Sequence, residues 1–534
     1  MIKASENNAL AVIGKKRYIR GHVTMRSMSL IRFYTIGQQA YQVVSSSLSS
    51  DNRITERRRH GLPPKEGMEH AADTKAVWLH KSALEGLLEK HQAEDRQHVR
   101  DVLDKARSLS GLSLEDVAGL MAVHSQDLLD ELFHTAKSVK EEIYGNRIVL
   151  FAPLYISNLC SNECLYCAFR RSNKEAIRRA LNPDEIRQET KILLRQGHKR
   201  VLMVAGEAYP GSGIDYVLES IDAIYGAEEN GSRIRRVNVN LAPLSVEDFR
   251  RLKERNIGTF QLFQETYHRP TYGRVHLAGP KKDLDWRASS FDRAMQAGID
   301  DVGMGLLYGL YDWRFETLAL MAHIAHLEER FGVGCHTISV PRIEPAIGSD
   351  LASRPPYTLN DQDFLKLVAI LRLAVPYTGI IMSTREKPAI RQRTLELGVS
   401  QISAGSRTNP GGYQESSQFE AAQFQLGDHR SLAEVIADLG QHKFIPSFCT
   451  GCYRLGRTGN DFMGLAKPGL IKEKCAPNAL STFEEYLLDY GTHEAREAGE
   501  RAIAAALDGM DGRIRKVSEN LLAKVRDGRR DVCC

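Results

Sequence analysis

The sequence predicts an α/β protein centred on a closed (β/α)8 barrel of the TIM type, with an N-terminal helical segment and a mostly helical C-terminal domain. Three observations lead there. Between residues 148 and 407, short apolar or β-branched runs alternate with longer amphipathic stretches, the pattern of parallel βαβ units. The runs fall at residues 148–157, 200–207, 237–244, 259–266, 301–307, 336–342, 378–384 and 401–404. Eight such units favour closure over an open sheet, and polar groups collect just past most of them, at the mouth where such barrels carry their chemistry.

At 534 residues the chain exceeds one ordinary domain. We divide it into an extension over 1–67, N-terminal helices over 68–147, the barrel over 148–425 and a C-terminal domain over 426–534. With 42% hydrophobic and 26% charged residues, the composition is that of a soluble globular protein. A net charge of +5, much of it near the N-terminus, is no argument for a nucleic-acid partner. No apolar run reaches the roughly 18 residues of a membrane span. Nine cysteines, six of them in two groups, indicate metal binding in a reducing compartment rather than a disulfide framework.

Up to His60 the extension sets 11 Lys and Arg against only Glu6, Asp51 and Glu56, and adds a serine-rich stretch at 45–50. That is the composition of an organellar transit peptide, and a start assigned too early, with Met68 the true one, is the alternative. The location expected is cytoplasmic in the second case and an organelle matrix (hydrogenosome, mitochondrion or chloroplast) in the first. Over 74–144 the pattern is helical, with Leu84, Leu87 and Leu88, then Val102 and Leu103, then Val117, Leu120 and Met121 on apolar faces. Ser113, ahead of Glu115 and Asp116, reads as an N-cap. These helices are expected to pack against the end of the following domain.

The first strand runs into Cys160, Cys164 and Cys167, a CxxxCxxC spacing with Tyr166 before the last cysteine. Three thiols cannot all pair as disulfides, and the spacing is not that of a zinc CxxC pair. A four-iron cluster normally takes four thiolates, so three leave one iron open. The motif resembles that of the radical S-adenosylmethionine (SAM) enzymes. The resemblance implies that SAM chelates the open iron, that Tyr166 lies near the adenine, and that one electron from the cluster releases a 5'-deoxyadenosyl radical.

The later strands end in further polar groups. Gly206 and Glu207 close the second and resemble the segment that binds the SAM amine. Gln264-Glu265-Thr266-Tyr267-His268 closes the fourth, Ser383-Thr384-Arg385-Glu386 the seventh, and Ser403 to Arg407 the eighth. His336 instead opens the sixth and faces the opposite end. Beyond the barrel, Cys449 and Cys452 form a CxxC followed after 22 residues by Cys475. This is a second three-cysteine set, for which a zinc site completed by His442 is the alternative to an iron-sulfur cluster. Cys533-Cys534 receives no role.

Taken together, CxxxCxxC, QETYH at 264–268, HTISVPR at 336–342, STRE at 383–386 and the late CxxC-x22-C resemble the tyrosine lyases of FeFe-hydrogenase maturation. These are relatives of the thiazole-biosynthesis lyase, which lacks the late set. The resemblance implies two 4Fe-4S clusters, SAM, and cleavage of L-tyrosine to p-cresol, by way of a 4-oxidobenzyl radical, and dehydroglycine. It further implies a labile extra iron on the second cluster, on which dehydroglycine becomes carbon monoxide and cyanide. The expected partners are an electron donor such as ferredoxin or flavodoxin and the other hydrogenase maturation proteins. On these terms Arg385 clamps the tyrosine carboxylate, with Ser403 and Ser406 as second contacts, and Glu265 binds the SAM ribose. His336 ligates the extra iron, with His268 as the fallback. Competing readings are a thiazole-type lyase that releases dehydroglycine and a non-catalytic iron-sulfur scaffold.

Overall fold

The computed structural model describes residues 75–211, 213–415, 421–467 and 470–534; the extension over 1–67, with Met68, lies outside them. Eight parallel strands close into a barrel: β1 Arg147–Ser157, β2 Arg200–Ala205, β3 Arg236–Asn240, β4 Phe260–Glu265, β5 Val302–Leu306, β6 Thr337–Ser339, β7 Gly379–Met382 and β8 Gln401–Ser403. Closure is the pairing of Val149, Leu150 and Phe151 on β1 with Gln401, Ile402 and Ser403 on β8. All eight runs read from the sequence are strands; β1 is one residue longer than the patterning implied, and the other seven are shorter, mainly at their C-terminal ends.

Strand β1 is the longest. It is buried along nearly all of its 11 residues, as expected of a strand covered on both faces. Its upper part, from Ala152, pairs with β2, while Arg147, Ile148 and Val149 also pair with a ninth strand, β9 Ile445–Ser447, outside the barrel. The sequence pattern gave no sign of β9, which is only three residues long. It is the link that ties the C-terminal helices to the base of the barrel. Two bulges, between Tyr155 and Ser157 on β1 and between Phe263 and Glu265 on β4, re-aim the upper ends of those strands. Glu265 accordingly takes a left-handed φ of 72°.

The N-terminal helices Lys81–Lys90, Leu114–Met121 and Gln126–Tyr144 lie against the outer barrel helices Trp313–Phe331 and Asp361–Ala374, and not against a barrel end as the sequence suggested, while Arg96–Ala106 packs on Leu114–Met121 and Gln126–Tyr144. Ser113 caps Leu114–Met121 in a reciprocal box with Asp116. Lys366 Nζ donates to the carbonyls of Val123 and Met121 at 2.9 and 3.3 Å, so the helical segment is tied to the barrel by charge as well as by its apolar faces. After β9 the chain continues through Gly451–Arg454, Gly459–Ala466, Ile471–Tyr490, His493–Asp508 and Gly512–Arg526, all helical.

Arg372, fully buried on the helix Asp361–Ala374, serves three carbonyls at the base of the β7 and β8 units: Pro376 at 2.7 Å, Thr378 at 3.0 Å and Gly398 at 2.6 Å. Arg372→Leu leaves these acceptors buried without donors. It is expected to lower unfolding free energy by about 3 kcal/mol or more, read from the denaturant midpoint; a change below about 1 kcal/mol would mean that water replaces the guanidinium.

Candidate active site

The C-terminal mouth of the barrel opens into a cavity of about 1380 Å³, open solvent at its entrance included. Cys160, Cys164, Cys167, Tyr166, Gly206, Glu207, Glu265, Arg385, Ser403 and Ser406 all line it. The geometry thus brings together in one space every residue that the sequence assigned to SAM or substrate.

The cysteine loop is held from two sides. Glu163 N donates to Ala278 O at 2.9 Å and Leu165 N to Val275 O at 3.0 Å, which clasps it to the chain after β4. On the other side Gly206 N donates to Ser157 O at 2.8 Å and Ala208 N to Leu159 O at 3.2 Å. A side chain on Gly206 has no room, since its Cβ would stand 2.2 Å from the Leu159 carbonyl oxygen. Burial pushes all three thiols up, Cys167 to about 11. Such thiols keep their protons near neutrality until a metal displaces them. Three of them around one cavity are the donor set a metal-sulfur cluster requires.

Around them the charges are paired. Arg287 Nη1 donates to Glu207 at 2.9 Å, Asn162 Nδ2 to the other Glu207 oxygen at 2.8 Å, and Lys281 Nζ to Glu265 at 2.6 Å. Burial works against the Glu207 charge, but Arg287 and Lys281 outweigh it and hold the carboxyl below its usual range. Tyr166 lies with its hydroxyl 2.9 Å from His276 Nε2 and its ring 5.7 Å from the Lys281 ammonium. Lys281, Arg287 and His276 were missed in the sequence, because the chain after β4 carries them in no recognisable motif, and Asn162 was passed over as a spacer between Cys160 and Cys164.

Arg385 differs from its neighbours. Its guanidinium lies 3.3 Å above the Phe424 ring and, among the described residues, meets no carboxylate within ion-pair range. Burial therefore holds it below the usual arginine range, whereas nearby Arg342, paired with Glu386 and Asp361, is raised. Ser403 Oγ accepts a hydrogen bond from Thr384 N at 3.2 Å, and the buried Ser406 hydroxyl has no partner among the described residues.

Below the cavity the interior stays polar. Asn240, Gln261, Ser339 and Ser403 line the cavity, and strand alternation sends Asn238, Thr259, Thr337 and Gln401 inward one layer lower. Barrels of this kind ordinarily fill these layers with branched aliphatics.

The second cysteine set sits at the opposite end. Strand β9 delivers Cys449 beside the start of β1, and Arg200 Nη2, at the start of β2, donates to Cys449 O at 2.7 Å. Tyr453, on the same turn as Cys452, lies under the Arg236 guanidinium at 4.0 Å, with its hydroxyl 3.3 Å from Thr259 Oγ1. The neighbouring Cys452 and Cys475 thiols divide their titration, Cys475 held below the usual thiol range with the charges of Arg147, Arg457 and His336 favouring its anion, and Cys452 pushed up. His336, the residue before β6, lies at this end of the barrel, its ring 4.7 Å from that of Phe462 on the helix Gly459–Ala466. His268 does not; it stacks on Tyr311 at 3.7 Å at the other mouth, outside the cavity lining. His442 is exposed, its Nδ1 on its own helix carbonyl at Asp438. Among the described residues no three His, Cys, Asp or Glu close around a single-ion position. Arg147, Arg200 and Arg236 were missed, as was Asp301 near Tyr453, whose buried carboxylate has no hydrogen-bond partner among the described residues; each stands, as His336 does, where a predicted run begins.

The chain matches the Radical SAM superfamily over residues 154–322 and the Biotin and Thiamin Synthesis associated domain over residues 339–445. Fold and cavity thus define a radical SAM enzyme, a class that implies SAM and one 4Fe-4S cluster. Among solved structures it is 47% identical to HydG, a maturase of the [FeFe]-hydrogenase, with a TM-score of 0.83 over 86% of this chain and 100% of that one. HydG from Carboxydothermus hydrogenoformans is 40% identical, with a TM-score of 0.74 over 85% and 100%. The 2-iminoacetate synthase of Escherichia coli strain K12 is 31% identical over 338 residues, 63% of this chain and 87% of its own. The chain belongs to the HydG family of hydrogenase maturases. No helix among the described residues is long and apolar enough to cross a membrane.

Gly206→Ala tests the packing of the cysteine loop. It is expected to weaken SAM binding by tenfold or more, about 1.4 kcal/mol, and to lower the melting temperature, because the Leu159 backbone must shift to admit the Cβ. Equal affinity would show that the loop accommodates a Cβ without moving.

Proposed function

We propose that this enzyme is a carbon-carbon lyase that cleaves L-tyrosine to p-cresol and dehydroglycine, then converts dehydroglycine to carbon monoxide and cyanide at an auxiliary iron-sulfur site. The product is an Fe-CO-CN synthon for the hydrogenase H-cluster. One observation carries the reading: two three-cysteine sets stand at opposite ends of one polar-lined barrel, the first beside a guanidinium with no anion of its own. The name of the E. coli relative supports the first half, since 2-iminoacetate is dehydroglycine.

SAM on a cluster held by Cys160, Cys164 and Cys167 supplies the oxidising radical, with an electron from a ferredoxin- or flavodoxin-like donor. The rest is positioning. Gly206 and Glu207 face the SAM amine, Glu265 the ribose and Tyr166 the adenine. Arg385 has an open fork for the tyrosine carboxylate, and the unpartnered Ser406 hydroxyl and Ser403 give second contacts. Fixing the carboxylate fixes the amine, where a small misplacement loses much of the rate. At the other end Cys449, Cys452 and Cys475 hold the second cluster and His336 ligates its labile iron. The polar interior offers dehydroglycine a path between them that avoids bulk water, which would hydrolyse it to glyoxylate.

In an anaerobic reaction with reductant, SAM and tyrosine, Cys164→Ala is expected to abolish p-cresol, whereas Cys452→Ala keeps p-cresol and loses carbon monoxide. Equal loss of p-cresol in two folded variants would refute this division of labour. A wild-type enzyme that yields p-cresol and glyoxylate without carbon monoxide would favour the thiazole-type reading. Arg385→Ala removes a charge-assisted contact worth about 2 kcal/mol, so KM for tyrosine is expected to rise roughly thirtyfold with SAM binding unaltered; an unchanged KM would remove Arg385 from the substrate site.

A further inference from the structure

The adjacent pair Cys533-Cys534 has no place in the chemistry above, yet the segment that bears it is built into the lower site. Ser481 Oγ donates to Val532 O at 2.9 Å, Asp531 N donates to Glu485 at 2.7 Å, and the Asp531 carboxylate pairs with Arg235 at 3.2 Å and with Arg454. Cys534 is held most closely. Its N donates to Asn478 Oδ1 at 2.8 Å, and its carbonyl oxygen accepts from Asn478 Nδ2 at 3.3 Å and from Arg457 Nη2 at 3.1 Å.

The residues that hold it belong to the auxiliary cysteines. Asn478 is one helical turn beyond Cys475, and Arg457 is the cation that faces Cys452 and Cys475. The Cys534 thiol is 3.9 Å from the carbonyl of Lys474, the residue before Cys475. Cys533 lies on the other arm of the set. Its Cβ and the Cys449 thiol both come within 3.6 Å of the point where a Cβ on Gly451 would stand. Five cysteines therefore share one patch, at a site where three thiolates leave a four-iron cluster one ligand short.

We propose that Cys534 is a fourth thiolate of the auxiliary site, presented by a segment that Asn478 and Arg457 pin against it. Ligation releases the thiol proton to solvent and exchanges no electrons. Arg457 would offset part of the added negative charge. Binding of the labile iron would then have to displace this thiolate, so Cys534 would also govern when that iron is admitted. This inference rests on the reading of Cys449, Cys452 and Cys475 as cluster ligands.

The test uses the full chain with Cys164→Ala, so that only the auxiliary site reports. The protein is alkylated with iodoacetamide before and after anaerobic reconstitution, then cut with trypsin, and the peptide that begins at Asp531 reads Cys533 and Cys534 separately by mass. Cys534 should be alkylated roughly tenfold more slowly once the cluster has formed, and this protection should vanish when Cys452→Ala is added. Cys534→Ala should also shift the electron paramagnetic resonance of the reduced cluster, and Cys533→Ala should not. Equal alkylation of Cys534 with and without a cluster proven by iron and sulfide content, or an unshifted spectrum in Cys534→Ala, would overturn the proposal alone. If the Cys164→Ala protein forms no cluster at all while the Cys452→Ala protein does, the auxiliary-site reading fails and this proposal goes with it.

Discussion

The structure depends on the pairing of β1. A parallel barrel sends every strand in the same direction, so the C-terminal mouth collects the groups that follow strands and the N-terminal mouth those that precede them. A second site at the lower mouth must therefore be brought there by chain from outside the eight units. Strand β9 does this by pairing with Arg147, Ile148 and Val149 and releasing Cys449 two residues later. The first cysteines leave the other end of the same strand. Between those points β1 rises roughly 25–30 Å, which separates the two sites while keeping them on one rigid element.

The two mouths meet their burial costs differently. At the upper mouth the carboxylates beside the cysteines each have a cation, Glu207 with Arg287 and Glu265 with Lys281, while Arg385, across the cavity, is in an ion pair with no carboxylate among the described residues. A buried charge without a partner is costly, and a protein that retains one gains by admitting an anion. The bulge that gives Glu265 its left-handed backbone belongs to the same arrangement: the strain turns the side chain toward Lys281 and the cavity.

Much of this was legible in the sequence because barrel strands are short apolar runs of strong period, and because cysteine spacing is a signal that packing does not blur. The same holds for Ser113, whose capping box is entirely local. What escaped depends on distant contacts. Lys281 and Arg287 acquire meaning only once the chain after β4 folds over the cysteine loop, and β9 only once Pro446 lies beside Ile148. Arg385 could be singled out by its place after β7, but the absence of a partner, which separates it from Arg342, is visible only in three dimensions. His336 was legible through a rule of position, and the same rule applied to Arg200, Arg236 and Asp301 would have drawn the whole lower ring.

That ring explains why the second set differs from the first in more than location. Around Cys160, Cys164 and Cys167, burial is the leading influence and raises all three thiols. Around Cys475 the neighbouring Cys452 thiol and the charges of Arg147, Arg457 and His336 favour the anion. Arg147 and His336 come from the N-terminal ends of barrel strands, whereas Arg457 comes from the segment that carries the cysteines, so the electrostatics of the lower site are supplied from both sides. Neither part makes the site alone: the late helices bring sulfur and one cation, and the strand starts bring the rest of the charge that stabilises it.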